Sequence, residues 1–123
     1  ESDKQIFATM SKEDGLMTNI EWNIYNFWYN NKYINKLLDT KVYTIYLKSS
    51  PSICLERIKK RNRGEEVNID INYLEKLHVL HEKWLNNNDN DKILVLNNDI
   101  NYLEDKKELD KHIEKVKNFF NLL

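Results

Sequence analysis

Residues 42–61 read VYTIYLKSSPSICLERIKKR. The opening VYTIYLK is β-branched and aromatic, which predicts a strand. Ser50-Pro51 then starts a helix, with serine suited to the cap and proline to the first turn. Ile53, Cys54, Leu55 and Ile58 face inward from that helix, which ends near Arg61. One strand running straight into one helix sets the frame in which the rest of the chain is read.

Upstream, SDKQIFATM (2–10) is a short helix, and KEDGLM (12–17) is a glycine-containing loop. From Thr18 to Leu38 apolar residues recur at Ile20, Ile24, Phe27, Trp28, Ile34, Leu37 and Leu38, mostly in helical steps. Downstream, Asn62 to Ile69 is a loop and Asp70 caps a helix carrying Leu74, Leu77, Leu80, Trp84 and Leu85. NNNDND (86–91) is a low-complexity surface loop. ILVL (93–96) does not alternate, so both its faces are expected to be buried, as in a parallel sheet. Leu109, Ile113, Val116, Phe120 and Leu123 form the apolar stripe of a terminal helix. The order predicts an α/β fold, a parallel sheet flanked by helices. Two strands make a marginal sheet on their own, so further strands are expected outside this sequence.

The 123 residues suffice for about one domain. With 19 Lys+Arg against 20 Asp+Glu, no global field favours nucleic acid or a membrane surface, and any anion site is local. A lone cysteine, Cys54, makes no internal disulfide and suits a reducing compartment. No apolar run approaches the ~20 residues of a membrane span, and no signal peptide is visible. The first residue is Glu1 rather than Met, so the natural start is expected upstream.

The local anion site is expected at RIKKRNRGEE (57–66), where five cations fall within seven positions. Part of this run is accounted for by helix electrostatics: Lys59, Lys60 and Arg61 lie at a helix C-terminus, and Glu65 and Glu66 neutralise their neighbours. Arg57 and Arg61, however, stand four apart on one face, which is unfavourable unless they are paired, and Arg63 continues the row. Arginine has the forked geometry for phosphate. A row of guanidinium groups over a polyphosphate is what phosphoryl transfer requires.

SSPSICLERIKKRNRGEE followed by YLEKLHVLHEKWL closely resembles the lid region and following helix of the cellular deoxynucleoside kinases. SDKQIFA and IEWNIYNFW are similar to that family's substrate-side helices, and LNNDINY resembles its adenine-side loop less closely. The resemblance covers residues 1–123 as the C-terminal half of a single kinase domain, with the lid at about 57–69. It implies a P-loop-kinase-like parallel sheet and transfer of the γ-phosphoryl group of ATP to a deoxynucleoside 5′-hydroxyl in nucleotide salvage. Carried over by position, Arg57, Arg61 and Arg63 match the lid arginines that contact the ATP phosphates and cover its base. Glu66 matches the acid that receives the sugar 3′-hydroxyl. Phe7 matches an aromatic that stacks on the substrate base, and Asp3 a base-reading aspartate. Asp3 with Phe7-Ala8 is similar to the deoxycytidine/deoxyguanosine kinase branch, because a carboxylate accepts from an exocyclic amino group that thymine lacks. Asn98 falls in the adenine-side loop, although Asn98 and Asn101 also suit plain turns.

The resemblance places the glycine-rich phosphate loop, the catalytic-base glutamate and the residues that hold Mg2+ upstream of Glu1. Gly15 and Gly64 begin no such motif. The 123-residue polypeptide alone is therefore expected to be inactive. ATP and a deoxynucleoside are the expected ligands, a homodimer the expected assembly and the cytoplasm the expected location, with mitochondria open if a transit peptide precedes Glu1. Two alternatives stand beside the kinase: a kinase-like structural or binding subunit without catalysis, and a nucleoside monophosphate kinase of the thymidylate kinase type. Of the remaining features, His78 and His81 in HVLH are read as structural or surface residues rather than metal ligands, and Cys54 as an inert core thiol. Trp22, Tyr25, Trp28 and Tyr29 are read as core, or alternatively as a helix–helix dimer seam.

Overall fold

The structure is a computed structural model, and it describes residues 2–34, 42–86, 92–102 and 104–121. Helix α1 begins with wide π turns over Asp3–Ala8 and continues as α-helix over Thr9–Glu13. Gly15, at φ +74°, supplies the left-handed residue that ends it. Helix α2, Asn19–Trp28, starts in a capping box: Glu21 N–H donates to the Thr18 hydroxyl at 3.2 Å, and Thr18 N–H donates to Glu21 Oε2 at 2.8 Å. It continues in π turns over Tyr29–Ile34. The expected end of this helix at Leu38 lies outside the described residues, as does most of the 86–91 loop.

Strand β1, Thr44–Lys48, leads into helix α3, Pro51–Arg61, and a single 3-10 turn covers Gly64–Glu66. Helix α4, Ile71–Leu85, is capped by Asp70, whose Oδ1 accepts from Tyr73 N–H at 2.8 Å. Strand β2, Ile93–Asn97, and helix α5, Lys106–Asn121, complete the described chain. The two strands pair in parallel with Thr44 opposite Ile93 and Lys48 opposite Asn97. The parallel sheet expected from the non-alternating ILVL is therefore present, and helices flank it.

The core is small. Ile6 and Met10, one turn apart on α1, meet Leu80 of α4, with Leu77 and Trp84 packed alongside. Tyr46, Leu85 and Leu96 are also buried. The buried Tyr46 donates its hydroxyl to Glu82 at 3.1 Å, and Lys48 pairs with the same carboxylate, so β1 is fastened to α4 by polar as well as apolar contact. Burial raises the Glu82 pKa, but the hydrogen bonds from Lys48 and Tyr46 outweigh it and hold the group below its ordinary value.

Three expectations change. The aromatic stretch of α2 is not core: no residue of that helix is fully buried, Trp28 and Phe27 are exposed, and Trp22, Tyr25 and Tyr29 stack along its surface. A period of 3.6 identifies an apolar face without saying what covers it. Cys54 is half-buried and lines a cavity of about 230 Å³ between β1, α3 and α4, so it is not enclosed. Ser50 does sit at the cap position of α3, but its side chain makes no cap bond and goes instead to Asp99. None of the described helices is long and apolar enough to cross a membrane.

Candidate functional site

Both strands of the parallel pair end at the same edge, and the residues that follow them are bonded to one another. In open α/β sheets, ligands bind outside the carboxyl ends of the strands. Here that edge carries Ser49 and Ser50 after β1, and Asn98 to Tyr102 after β2. Asn98 N–H extends the ladder by donating to Lys48 C=O at 2.7 Å. Its side-chain amide donates to Ser49 Oγ at 3.0 Å. Ser50 gives its N–H to Asp99 Oδ1 at 2.7 Å and its hydroxyl to Asp99 Oδ2. These two donations, the hydroxyl first, hold the Asp99 carboxyl below the usual carboxylate range. The loop itself is shaped by Asn97, whose Oδ1 accepts from Asp99 N–H at 3.0 Å. The Tyr102 hydroxyl donates to Asn97 C=O at 2.6 Å and pairs with Nδ1 of the buried His112 at 2.8 Å.

Arg57 joins this edge from α3. Its Nη2 donates to Ile100 C=O at 3.3 Å and its Nη1 to Ser49 Oγ at 3.4 Å. The first arginine of the row thus bridges the residue after β1 and the loop after β2. Asn98 shares the Ser49 hydroxyl with it, so Arg57 and Asn98, far apart in sequence, share one site.

The other residues of the charged run form a second cluster. Helix α3 stops at Asn62, which adopts the left-handed conformation at φ 50°, ψ 49°, a geometry that asparagine tolerates. The chain then reverses through Gly64–Glu66, where Glu66 N–H bonds to Arg63 C=O at 3.1 Å. That reversal lays Glu66 over Arg61. Arg61 Nε donates to Glu66 Oε2 at 3.0 Å, and Nη2 reaches both carboxylate oxygens at 2.8 Å. Glu66, Arg63, Val67 and Ile69 line a cavity of about 340 Å³ together with Leu55 and Ile58 of α3. Arg63 and Glu65 are exposed.

Asp3 and Phe7 stand one turn apart on α1. The Tyr25 hydroxyl donates to Asp3 Oδ2 at 2.7 Å. Burial, followed by that bond, pushes the Tyr25 pKa well up, so it remains a donor. Phe7 is 48% exposed, more than a core aromatic should be, whereas Ile6 beside it is fully buried. An aromatic turned outward next to the core is available to a ligand. No hydrogen bond or ion pair among the described residues joins Asp3 or Phe7 to the 57–66 segment.

His81 stacks on Tyr46, and its Nδ1 lies 2.7 Å from Leu77 C=O, which gives His81 a structural role, while His78 lines the cavity beside Cys54. No group of three or more His, Cys, Asp and Glu among the described residues is placed to hold a metal ion. Sequence reasoning missed Ser49, Ser50 and Asp99. Serine and aspartate in turns are too common to single out, and their partners lie 49 positions apart.

The deoxynucleoside kinase family model matches residues 1–121. The deoxycytidine kinase of Bos taurus is 42% identical over 136 residues, a match covering 99% of this chain and 50% of that protein. The probable deoxycytidine kinase of Fowlpox virus is 37% identical over 127 residues, covering 99% of this chain and 53% of that one. Among solved structures, the deoxyadenosine kinase from M. mycoides with bound dCTP superposes with a TM-score of 0.74 at 25% identity, covering 94% of this chain and 60% of that one. The chain spans about half the length of the curated relatives it matches.

Proposed function

The chain belongs to the deoxynucleoside kinase family, and from that premise we propose that the protein containing it transfers the γ-phosphoryl group of ATP to the 5′-hydroxyl of a deoxynucleoside in nucleotide salvage. The 5′-oxygen forms the new bond to phosphorus, the bridging bond to ADP breaks, and the hydroxyl proton passes to a base outside these residues. Segment 57–63 serves the donor: its guanidinium groups offset charge on the transferred oxygens. Glu66 serves the acceptor, as a carboxylate able to accept from a sugar hydroxyl. Asp3 and Phe7 read the acceptor base, by accepting from an amino group and by stacking. A cytosine or guanine base fits this pair better than thymine.

One observation carries the proposal. Arg57 is held at the carboxyl edge of the parallel strands while Arg61 and Glu66 meet on the adjoining reversal, so donor-type and acceptor-type groups share one short segment. Such a segment closing over two substrates excludes water at the reacting centre. Magnesium is expected with ATP as the ion that accompanies the donor phosphates; among the described residues no group of three or more His, Cys, Asp and Glu is placed to hold a metal ion. The exposed Ile20, Ile24, Phe27 and Trp28 on α2 suit a homodimer seam. A cytoplasmic location fits the lone half-buried thiol.

The test is phosphorylation of deoxycytidine, deoxyguanosine, deoxyadenosine and thymidine by the protein in the longest form its gene encodes, assayed beside the 123-residue chain. ATP-dependent formation of a 5′-monophosphate by the longer form is expected, with no turnover by the 123-residue chain. A longer form that binds nucleosides without turnover would favour a non-catalytic subunit, and one that phosphorylates only monophosphates would favour the thymidylate-kinase type.

A further inference from the structure

We infer that His112 is a positioning residue for the loop after β2: it holds the Tyr102 hydroxyl, Tyr102 holds the end of β2, and the loop so fixed presents the carbonyl that orients Arg57. The consequence for the reaction rests on the kinase reading above. Helix α5 turns an unexpected face inward. Of its apolar stripe, Leu109, Ile113 and Phe120 are 38–52% exposed, whereas His112 is 7% exposed and Val116 and Phe119 are half-buried. These last three stand four and three apart, on one side of the helix. Phe119 packs edge-on against Tyr43, just ahead of β1, with ring centroids 6.1 Å apart. His112 packs edge-on against Tyr102 at 5.2 Å. A helix that buries a histidine, with leucine and isoleucine at hand, must give it a partner, because an unpaired buried polar group is costly.

The single proton on the Tyr102 hydroxyl fixes the direction of that partnership. The hydroxyl oxygen lies 2.6 Å from Asn97 C=O and 2.8 Å from His112 Nδ1. A carbonyl only accepts, so the hydroxyl proton goes to Asn97, and His112 donates its Nδ1–H to the Tyr102 oxygen. Burial raises the Tyr102 pKa, and the nearby Arg57 charge only partly offsets this, so the hydroxyl keeps its proton. Neutral His112 is thereby held as the Nδ1–H tautomer. The relay ends on Asn97, the last residue of β2. From there Asn98 reaches Ser49 at 3.0 Å, and Ile100 C=O accepts from Arg57 at 3.3 Å. A guanidinium carries more N–H donors than Arg57 uses at this corner, so it waits oriented and still able to take phosphate oxygens. A loop already held loses less freedom on binding than a free one.

The experiment uses the longest encoded form of the protein with three substitutions, each checked by circular dichroism. Tyr102→Phe removes one oxygen atom, His112→Leu removes the donor, and His112→Asn keeps an amide N–H close to the place of Nδ1–H. Tyr102→Phe and His112→Leu should each raise the KM for ATP by about 3- to 10-fold, the range of one neutral hydrogen bond. The deoxycytidine KM should stay within about twofold. Combining the two should add little to either alone, because both break one relay. His112→Asn should recover most of the loss. Heteronuclear NMR of the imidazole nitrogens should find His112 as the Nδ1–H tautomer, and Tyr102→Phe should release that preference. Additive losses, no recovery with asparagine, or equal effects on both substrates would leave His112 a packing residue and overturn the inference. An Nε2–H tautomer in the unaltered protein would do the same. Should His112→Leu fail to fold, Tyr102→Phe and the tautomer decide. No phosphorylation by the unaltered protein would overturn the kinase reading, while the tautomer would still decide the relay.

Discussion

Asp99 accepts both the amide and the hydroxyl of Ser50, with the amide at 2.7 Å from Oδ1, and so locks together the ends of two strands that are paired in parallel. A parallel pair has no hairpin to fix its register. In this chain the job falls to side chains at the carboxyl edge, and Arg57 is fastened to the same corner.

Removing that lock should loosen the edge. Asp99→Ala leaves the Ser50 amide and hydroxyl without their acceptor and should lower unfolding stability by about 1–3 kcal/mol. Asp99→Asn keeps one acceptor oxygen and should cost less. Urea unfolding followed by tryptophan fluorescence separates the two. Equal stability of both variants with the original would remove Asp99 from the fold's support.

The same group sets a pH dependence. Asp99 and Glu82 both have folded pKa values below their ordinary 3.8 and 4.5, the first through the Ser50 hydroxyl and amide, the second through Lys48 and Tyr46 despite burial. A depressed folded pKa contributes stability that is present in full above the unfolded value and lost as pH falls through the folded one. Stability should therefore be level through neutral pH and decline below about pH 5. The decline should be shallower in Asp99→Asn. Thermal melts between neutral and acid pH test this; a decline with the same slope in that variant would assign the effect elsewhere.

The apolar core is small enough for one residue to matter. Ile6 is fully buried between Met10 and Leu80. Ile6→Ala should cost about 2–5 kcal/mol, through lost burial and the cavity left behind. Phe7→Ala next to it should cost far less, because nearly half of that side chain is already in water. Differential scanning calorimetry of the pair shows whether the core lies where the burial pattern puts it.

Activity assays probe the corner that carries Arg57. If the proposed kinase reaction brings its guanidinium onto the donor, Arg57→Ala should slow phosphoryl transfer by about 100-fold or more. Glu66→Ala should act mainly on the acceptor KM. Near-normal kinetics in both would detach residues 57–66 from the proposed reaction.

If α2 is a dimer seam, charge on its exposed face should part the copies. Phe27→Glu places a carboxylate among Ile20, Ile24 and Trp28 and should yield a monomer by analytical ultracentrifugation. A change confined to the surface of α2 should leave the circular dichroism spectrum unaltered. An unchanged mass would mean that face serves another purpose.

Local pattern sufficed for much of this protein. Apolar periodicity placed most of the described helices. VYTIYLK and ILVL marked the two strands, the missing alternation in ILVL marked their parallel pairing, and Asp70 marked the cap of α4. The family, too, was legible from the order of its stretches, because that information is linear. What neighbours do across space was not linear, and only the tertiary structure decided it. Ser50 looks like a cap but spends its hydroxyl on Asp99; the aromatic stretch of α2 looks like core, yet Phe27 and Trp28 are exposed and Tyr25 gives its hydroxyl to Asp3; and Arg57 and Arg61 of one charge run, alike as letters, take separate partners. A hydrogen bond depends on distance and angle, and a 49-residue separation closes to 2.7 Å only once the sheet has formed.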